Sequence, residues 1–280
     1  MKKILACLFA TCLLVHNASA QHGEYDSAKT VPPFKIFDNL YYVGIDIVSS
    51  YLITTDDGLI VIDALYGKFS NHIVQSVRDL GFDPKDIKYI LCTHGHFDHS
   101  EGAEMLQKLT GARVGMTEAD WQMTEGKIEN AYPSVNTKLA RDLVLHDGET
   151  LKLGNTELKF YVTPGHTLGV LSISFPVKEG NRTHNAFVFG GAGLNFNGID
   201  RTQTYIRSLD RLLGMKSLLQ VNISNHPSSG KILERAKMLK DRKPADKNPF
   251  VAPEDYLAWI MDLRSQAEKK LVEEKTKEKR

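Results

Sequence analysis

Cysteine is scarce. Three occur in 280 residues, and Cys7 and Cys12 both fall in the first twenty positions. If that segment is removed, Cys92 stands alone and no internal disulfide can form, even in an oxidising compartment. Cys92 ends the apolar run Tyr89-Ile90-Leu91-Cys92, a setting for a buried small hydrophobe rather than for a nucleophile or a ligand. Excess charge of one sign is also missing. Lys and Arg number 35, Asp and Glu 34, for a net charge of +1, which argues against a nucleic-acid partner or an anionic membrane surface. Past the first twenty residues no stretch is long and apolar enough to cross a bilayer, and there is no short tandem repeat.

What is present begins with a leader. Lys2 and Lys3 form a basic start, Ile4 to Val15 is apolar, and Ala18-Ser19-Ala20 has the small-residue spacing of a signal-peptidase site. The apolar stretch is too short to span comfortably, and neither Cys7 nor Cys12 has the surroundings of a lipid-attachment site. Residues 1–20 are therefore predicted to be a signal peptide cleaved near Ala20, leaving 21–280 as a single periplasmic or secreted domain with no stable membrane anchor. With 42% hydrophobic and 25% charged residues, that chain has the composition of a globular protein with a substantial core.

Strand-like and helix-like segments alternate. Tyr51 to Thr54 and Leu59 to Ile62 flank Thr55-Asp56-Asp57-Gly58 as a hairpin. Ile73, Val74, Val77 and Leu80 share a helical face, with Ser70 as the expected cap and Gly81 as the stop. Lys88 to Cys92 reads as a buried strand, Glu101 to Leu109 as a helix and Ala112 to Gly115 as a strand. Met123 to Lys138 has weak periodicity and contains Gly126 and Pro133, which predicts a loop or lid. Leu158 to Val162, Leu171 to Phe175 and Ala186 to Phe189 follow as strands. Asp200 is the expected cap of a helix carrying Tyr205, Leu209 and Leu212 on one face. Leu218 to Ile223 is a last strand, and Pro253 opens a C-terminal helix striped by Tyr256, Ile260, Leu263 and Ala267. The order is strands then helices, twice over. That predicts an α/β fold of two similar halves, packed sheet to sheet with helices outside.

The chemistry concentrates at His94-Gly95-His96-Phe97-Asp98-His99. Histidine is only 10 of 280 residues, so three at these offsets beside a carboxylate call for a reason, and metal ligation is the commonest. His94 and His96, one residue apart in an extended segment, project to the same side. Asp98 and His99 follow where the chain turns and aim at a neighbouring point. A catalytic zinc uses three protein ligands and a water, so two such sites need two further donors. His166, in Thr163-Pro164-Gly165-His166-Thr167, and His226, in Ser224-Asn225-His226-Pro227, each follow an apolar strand, where loops build sites. His22, His72, His146 and His184 lack such context and read as surface or structural residues.

This pattern resembles the metallo-β-lactamase superfamily, from about Pro33 to the last helix, and is most similar to the third subclass of class B β-lactamases. The segment Arg242 to Val251 followed by a long helix is similar to that group as well. The resemblance implies a four-layer αβ/βα sandwich holding two zinc ions per chain. His94, His96 and His166 would hold one, and Asp98, His99 and His226 the other. Asp63 matches an acid that supports the metal loop from behind; it also reads as a plain turn carboxylate. Gly190-Gly191-Ala192-Gly193-Leu194-Asn195 departs from many relatives, because Ala192 holds the position of a metal-bridging Asp and cannot ligate. That argues against a glyoxalase-II-like thioesterase or an acyl-homoserine lactonase. The serines that bind a substrate carboxylate in the third subclass are missing from this stretch, and Asn195 is the candidate replacement.

The implied activity is opening of the β-lactam amide by a metal-bound hydroxide, with Asp98 orienting it and no protein nucleophile. The alternatives are a hydrolase of a lactone, phosphodiester or other ester with the same metals, and a metal-binding protein without turnover.

Overall fold

The computed structural model describes residues 25–128, 139–243 and 245–279. The expected leader, His22 and residues 129–138 of the expected lid lie outside the described residues.

Two sheets form the centre. The first runs β1 (Phe34–Phe37), β2 (Leu40–Tyr42), β3 (Tyr51–Thr55), β4 (Gly58–Ile62), β5 (Ile87–Leu91), β6 (Arg113–Met116), β7 (Leu143–Val144), in that order in space. Its first four strands are antiparallel and β4 to β7 are parallel. The second contains β8 (Thr150–Leu153), β9 (Thr156–Val162), β10 (Leu171–Glu179), β11 (Arg182–Phe189) and β12 (Val221–Ser224), ordered β12-β11-β10-β9-β8 with only β11 and β12 parallel.

Strand geometry turns alternate residues to opposite faces, and the layers follow from it. On β4, Ile60 and Ile62 join Leu158, Phe160, Ile173 and Val188 in a core between the sheets. Leu59 and Val61 face the other way, onto α1 (Ser70–Asp79) through Ile73 and Val77, and onto α3 (Ala103–Thr110) through Leu106. A strand covered on both faces reads as an unbroken apolar run, as Leu59 to Ile62 does. On the far side, Phe187 and Phe189 pack under α5 (Ile199–Gly214) and α7 (Pro253–Glu278), which present Tyr205, Leu209 and Leu212, and Tyr256, Ile260 and Ala267. The result is the expected helix–sheet–sheet–helix sandwich. None of the described helices is long and apolar enough to cross a membrane.

Local differences have local causes. Ser70 is the first helical residue of α1 and does not cap it, because a 3-10 turn, Gly67–Phe69, leads straight into the helix. Asp200 likewise lies inside the first turn of α5. Gly198, at φ 108°, occupies the cap position, and Asp200 complements the helix dipole instead. The last strand starts at Val221, after a 3-10 turn over Lys216–Leu218. Met123 belongs to a further helix, α4 (Glu118–Thr124), so the expected lid does not start there; Thr117 accepts from the Asp120 N–H at its N-terminus. The sequence pattern does not predict strands β1, β2, β7 and β8 or helix α6 (Ile232–Lys240). Counting in α2 (Phe97–Ser100), seven helices are named.

Candidate metal centre

Strand β5 delivers the His-rich turn to one end of the sandwich, where α2 starts on Phe97. Gly95 is required by a close approach, since a Cβ there would lie 2.9 Å from the Asp120 carbonyl of α4. The turn is stitched to both sheets. Leu171 N–H of β10 donates to the Thr93 carbonyl at 2.7 Å. On the other side Asp63, just past β4, accepts from Thr93 N–H (2.7 Å), Thr93 Oγ1 (2.9 Å) and His99 Nδ1 (2.8 Å). Asp63 holds φ at 63°, a left-handed conformation that Asp tolerates better than most residues.

The expected donors meet here. His94 Nε2 lies 3.0 Å from His96 Nδ1 and 3.1 Å from His166 Nε2. His99 Nε2 lies 3.2 Å from His226 Nε2 and 3.3 Å from Asp98 Oδ2, and His226 Nε2 is 3.7 Å from the same oxygen. His94, His96 and His166 form one buried group able to hold an ion, and His94, Asp98 and His99 another, each with its atoms within 4.8 Å of one another.

Hydrogen bonds behind the rings fix which nitrogens face inward. His166 Nδ1 donates to the Gly193 carbonyl (2.9 Å) and His226 Nδ1 to the Ile47 carbonyl (2.8 Å). His99 Nδ1 donates to Asp63. Thr93 Oγ1 gives its proton to Asp63 and so accepts from His94 Nδ1 at 3.2 Å. His94 and His166 therefore turn unprotonated Nε2 atoms toward each other at 3.1 Å, with His96 Nδ1 3.0 Å from the first. That arrangement is repulsive unless a cation sits among them. Two nitrogens on one tetrahedral zinc stand about 3.3 Å apart, close to the 3.0–3.2 Å seen here, so the residues fit a metal.

The electrostatics agree. Burial holds His94 and His96 well below the usual imidazole range and His166 at about 4, which keeps these rings neutral. Burial also opposes charge on His99, yet Asp98 and Asp63 push it up to about 10. Asp98 stays well below the carboxylate range, because His99 and His226 outweigh its burial. Asp120, behind the turn, is pushed up to about 6 by burial against hydrogen bonding from Thr167, Gly95 and Thr117.

The centre opens into a cleft of about 210 Å³ whose walls include Tyr25, Ile47, Ala192, Asn195 and Asn225. Ala192 and Asn195 both line this cleft. Tyr25 and Asn225 were missed. Asn225 adjoins His226, a cue within reach; a single Tyr far upstream gives none. Outside the cleft, His72 Nε2 meets the Val31 and Gly44 carbonyls, His184 lies beside Glu179, and His146 is exposed.

Residues 43–179 match the family described as Metallo-beta-lactamase superfamily. The native FEZ-1 metallo-beta-lactamase from Legionella gormanii superimposes with a TM-score of 0.82 at 28% identity, over 89% of this chain and 98% of that one. BJP-1, a subclass B3 metallo-beta-lactamase of Bradyrhizobium japonicum, gives 0.77 at 27%, over 88% and 96%. By sequence, a hydroxyacylglutathione hydrolase of Ectopseudomonas mendocina is 31% identical over 132 residues, 47% of this chain and 44% of that protein. The chain spans less than half the length of such curated relatives.

Proposed function

We propose, for a chain that carries a metallo-beta-lactamase superfamily domain, a zinc-dependent hydrolase that opens the amide of β-lactams. Its leader, residues 1–20, is removed, and 21–280 works as one domain in the periplasm or outside the cell. His94 Nε2, His96 Nδ1 and His166 Nε2 hold one zinc, and Asp98, His99 and His226 hold a second. Asp63 keeps His99 oriented, as partners behind a ligand do. A zinc pair supplies a polarised carbonyl oxygen and a water acidic enough to attack near neutral pH.

The rest falls to the chain. Asp98 orients the attacking water. Asn195 on the rim binds the substrate's carboxylate. Ile47 keeps part of the cleft apolar. Ser100 Oγ donates to the His96 carbonyl at 2.9 Å, so it is engaged in the backbone and no serine nucleophile is invoked.

The observation that carries the β-lactam reading is Ala192. It lines the cleft between Gly191 and Gly193, which both close on His166, in the position where thioesterases of this fold carry a bridging Asp, and a methyl group cannot ligate. The extent of the β-lactamase likeness, 96% or more of each of those chains, supports the same reading. A thioester substrate is the second reading, favoured by the names of the sequence relatives, with a lactone or phosphodiester substrate as a further alternative that uses the same metals.

Purified mature protein loaded with zinc decides between them. Penicillin, cephalosporin and carbapenem hydrolysis that a chelator abolishes is the expected result. Bound zinc with cleavage of S-lactoylglutathione or a lactone, and no lactam turnover, overturns the β-lactam assignment and leaves the metals standing.

A further inference from the structure

Tyr25 lies upstream of the segment that matches the family, 43–179, yet its phenol reaches the metal centre. The O–H donates to Asp98 Oδ2 at 3.0 Å. That oxygen is also the one nearest His99 Nε2 and His226 Nε2, at 3.3 and 3.7 Å. One carboxylate oxygen therefore meets the phenol on one side and the second donor group on the other.

The contact is built in. The Tyr25 ring packs edge-on against Phe97 at 4.9 Å and against Tyr66 at 5.4 Å, and Phe97 directly precedes Asp98. Tyr66 Oη donates to the Tyr25 carbonyl at 2.8 Å. Downstream, Asp46 N–H donates to the Lys29 carbonyl and Lys29 N–H to Asp46 Oδ1, at 3.0 and 2.8 Å. Thr30 then bridges to Ile45, and His72 Nε2 donates to the Val31 carbonyl at 3.0 Å. Residues 25–31 thus form a strap fastened along its length, with its first side chain over the metal turn.

We propose that Tyr25 is a positioning residue of the metal centre, its phenol fixing the Asp98 rotamer so that the free lone pair of Oδ2 faces His99 and His226. This rests on the reading of Asp98 as a ligand of the second metal. The consequence is that second-site affinity depends on the strap of residues 25–31, outside the segment that matches the family.

Cobalt(II) titration of the mature chain tests it. Tyr25→Phe keeps the ring packing and loses only the hydroxyl. The first cobalt should bind as in the parent, while the second binds about tenfold more weakly, the lower end for losing a partner behind a ligand, with a shifted visible absorption band. Tyr66→Phe, which never touches Asp98, should weaken the second ion less, and the double variant should be no worse than Tyr25→Phe alone. Second-site affinity and spectrum unchanged in Tyr25→Phe, with two ions bound by the parent, overturn the proposal. A parent chain that takes up no second cobalt overturns the two-metal reading itself. Should Tyr25→Phe fail to fold, Tyr66→Phe carries the same test, and an unchanged second site there overturns the proposal.

Discussion

The two sheets supply the centre in unlike ways. The first gives four donors from one continuous turn, His94 to His99, fastened by a carboxylate: Asp63 takes Thr93 N–H, Thr93 Oγ1 and His99 Nδ1 at once. The second sheet gives one histidine from each of two separate strand ends, and both are fastened by neutral carbonyls, Gly193 for His166 and Ile47 for His226. A carbonyl fixes the tautomer and leaves the ring neutral. A carboxylate also makes the ring more basic, and with Asp98, the stronger influence, and Asp63 both beside it, His99 alone among the five is pushed up, to about 10. The first sheet thus supplies charge for the centre, and the second supplies closure and the wall a substrate meets.

The largest expected effect breaks that closure. His166→Ala leaves His94 and His96 as a two-donor remnant, too few for a catalytic zinc with three protein ligands. Hydrolysis of any substrate should fall by about a thousandfold or more, with one metal ion lost per chain by elemental analysis, because the first site has no replacement donor. Full activity with two ions retained would remove His166 from the ligand set.

Asp63→Asn comes next and acts on the first sheet's side. Asn also tolerates φ near 63°, so the backbone survives. One amide oxygen cannot serve three donors, and the amide N–H₂ is turned toward another donor. Metal affinity should fall about 10–100-fold, and thermal stability should drop by about 1–3 kcal/mol for the unsatisfied buried groups. Metal titration and melting curves read the two effects separately. A loss of stability with unchanged metal affinity would make Asp63 the plain turn carboxylate.

The pattern of residues made the first sheet's side more legible than the second's. Four donors in six positions are visible because a contiguous turn keeps its ligands together in the sequence. His166 and His226 were legible only through their position after apolar strands, and their separation of 60 residues is closed by the β9–β10–β11–β12 topology. The layer order followed from unbroken apolar runs such as Leu59 to Ile62, which need cover on both faces. What escaped was whatever depends on a distant neighbour. Tyr25 acts on Asp98 across 73 positions. Helix α4 runs into the start of the weakly periodic segment and overlaps it at Met123 and Thr124, and Ser70 and Asp200 carry capping chemistry inside helices that begin ahead of them, after a 3-10 turn in one case and after Gly198 in the other.

Asn195→Ala probes the second sheet's wall without touching a donor. Asn195 borders the cleft two residues beyond Gly193, whose carbonyl holds His166. If this wall binds the substrate's carboxylate, KM should rise about three- to tenfold, the value of one ordinary hydrogen bond, about 0.7–1.4 kcal/mol, with kcat and metal content nearly unchanged. An equal fall in kcat with constant KM would move Asn195 from substrate binding to the reacting atoms.

The smallest effect separates the two carboxylates behind the first sheet's turn. Asp63 serves three donors, whereas Asp120 is buried strongly enough to be pushed from 3.8 up to about 6. The sign follows from linkage. Between those values the folded chain binds more protons than the unfolded chain, so this group makes stability fall as pH rises through that window, and the cost is complete above about pH 6. A shift of roughly two units amounts to at most about 3 kcal/mol. Asp120→Asn removes the charge and keeps an acceptor for Thr117 and the turn. Its melting temperature at pH 7.5 should therefore rise by about 3–8 °C, given roughly 2–4 °C per kcal/mol for a chain of this size, with no gain at pH 4. If the variant instead melts lower at pH 7.5, the turn needs negative charge on both sides, and fastening by charge extends to α4 as well as to Asp63.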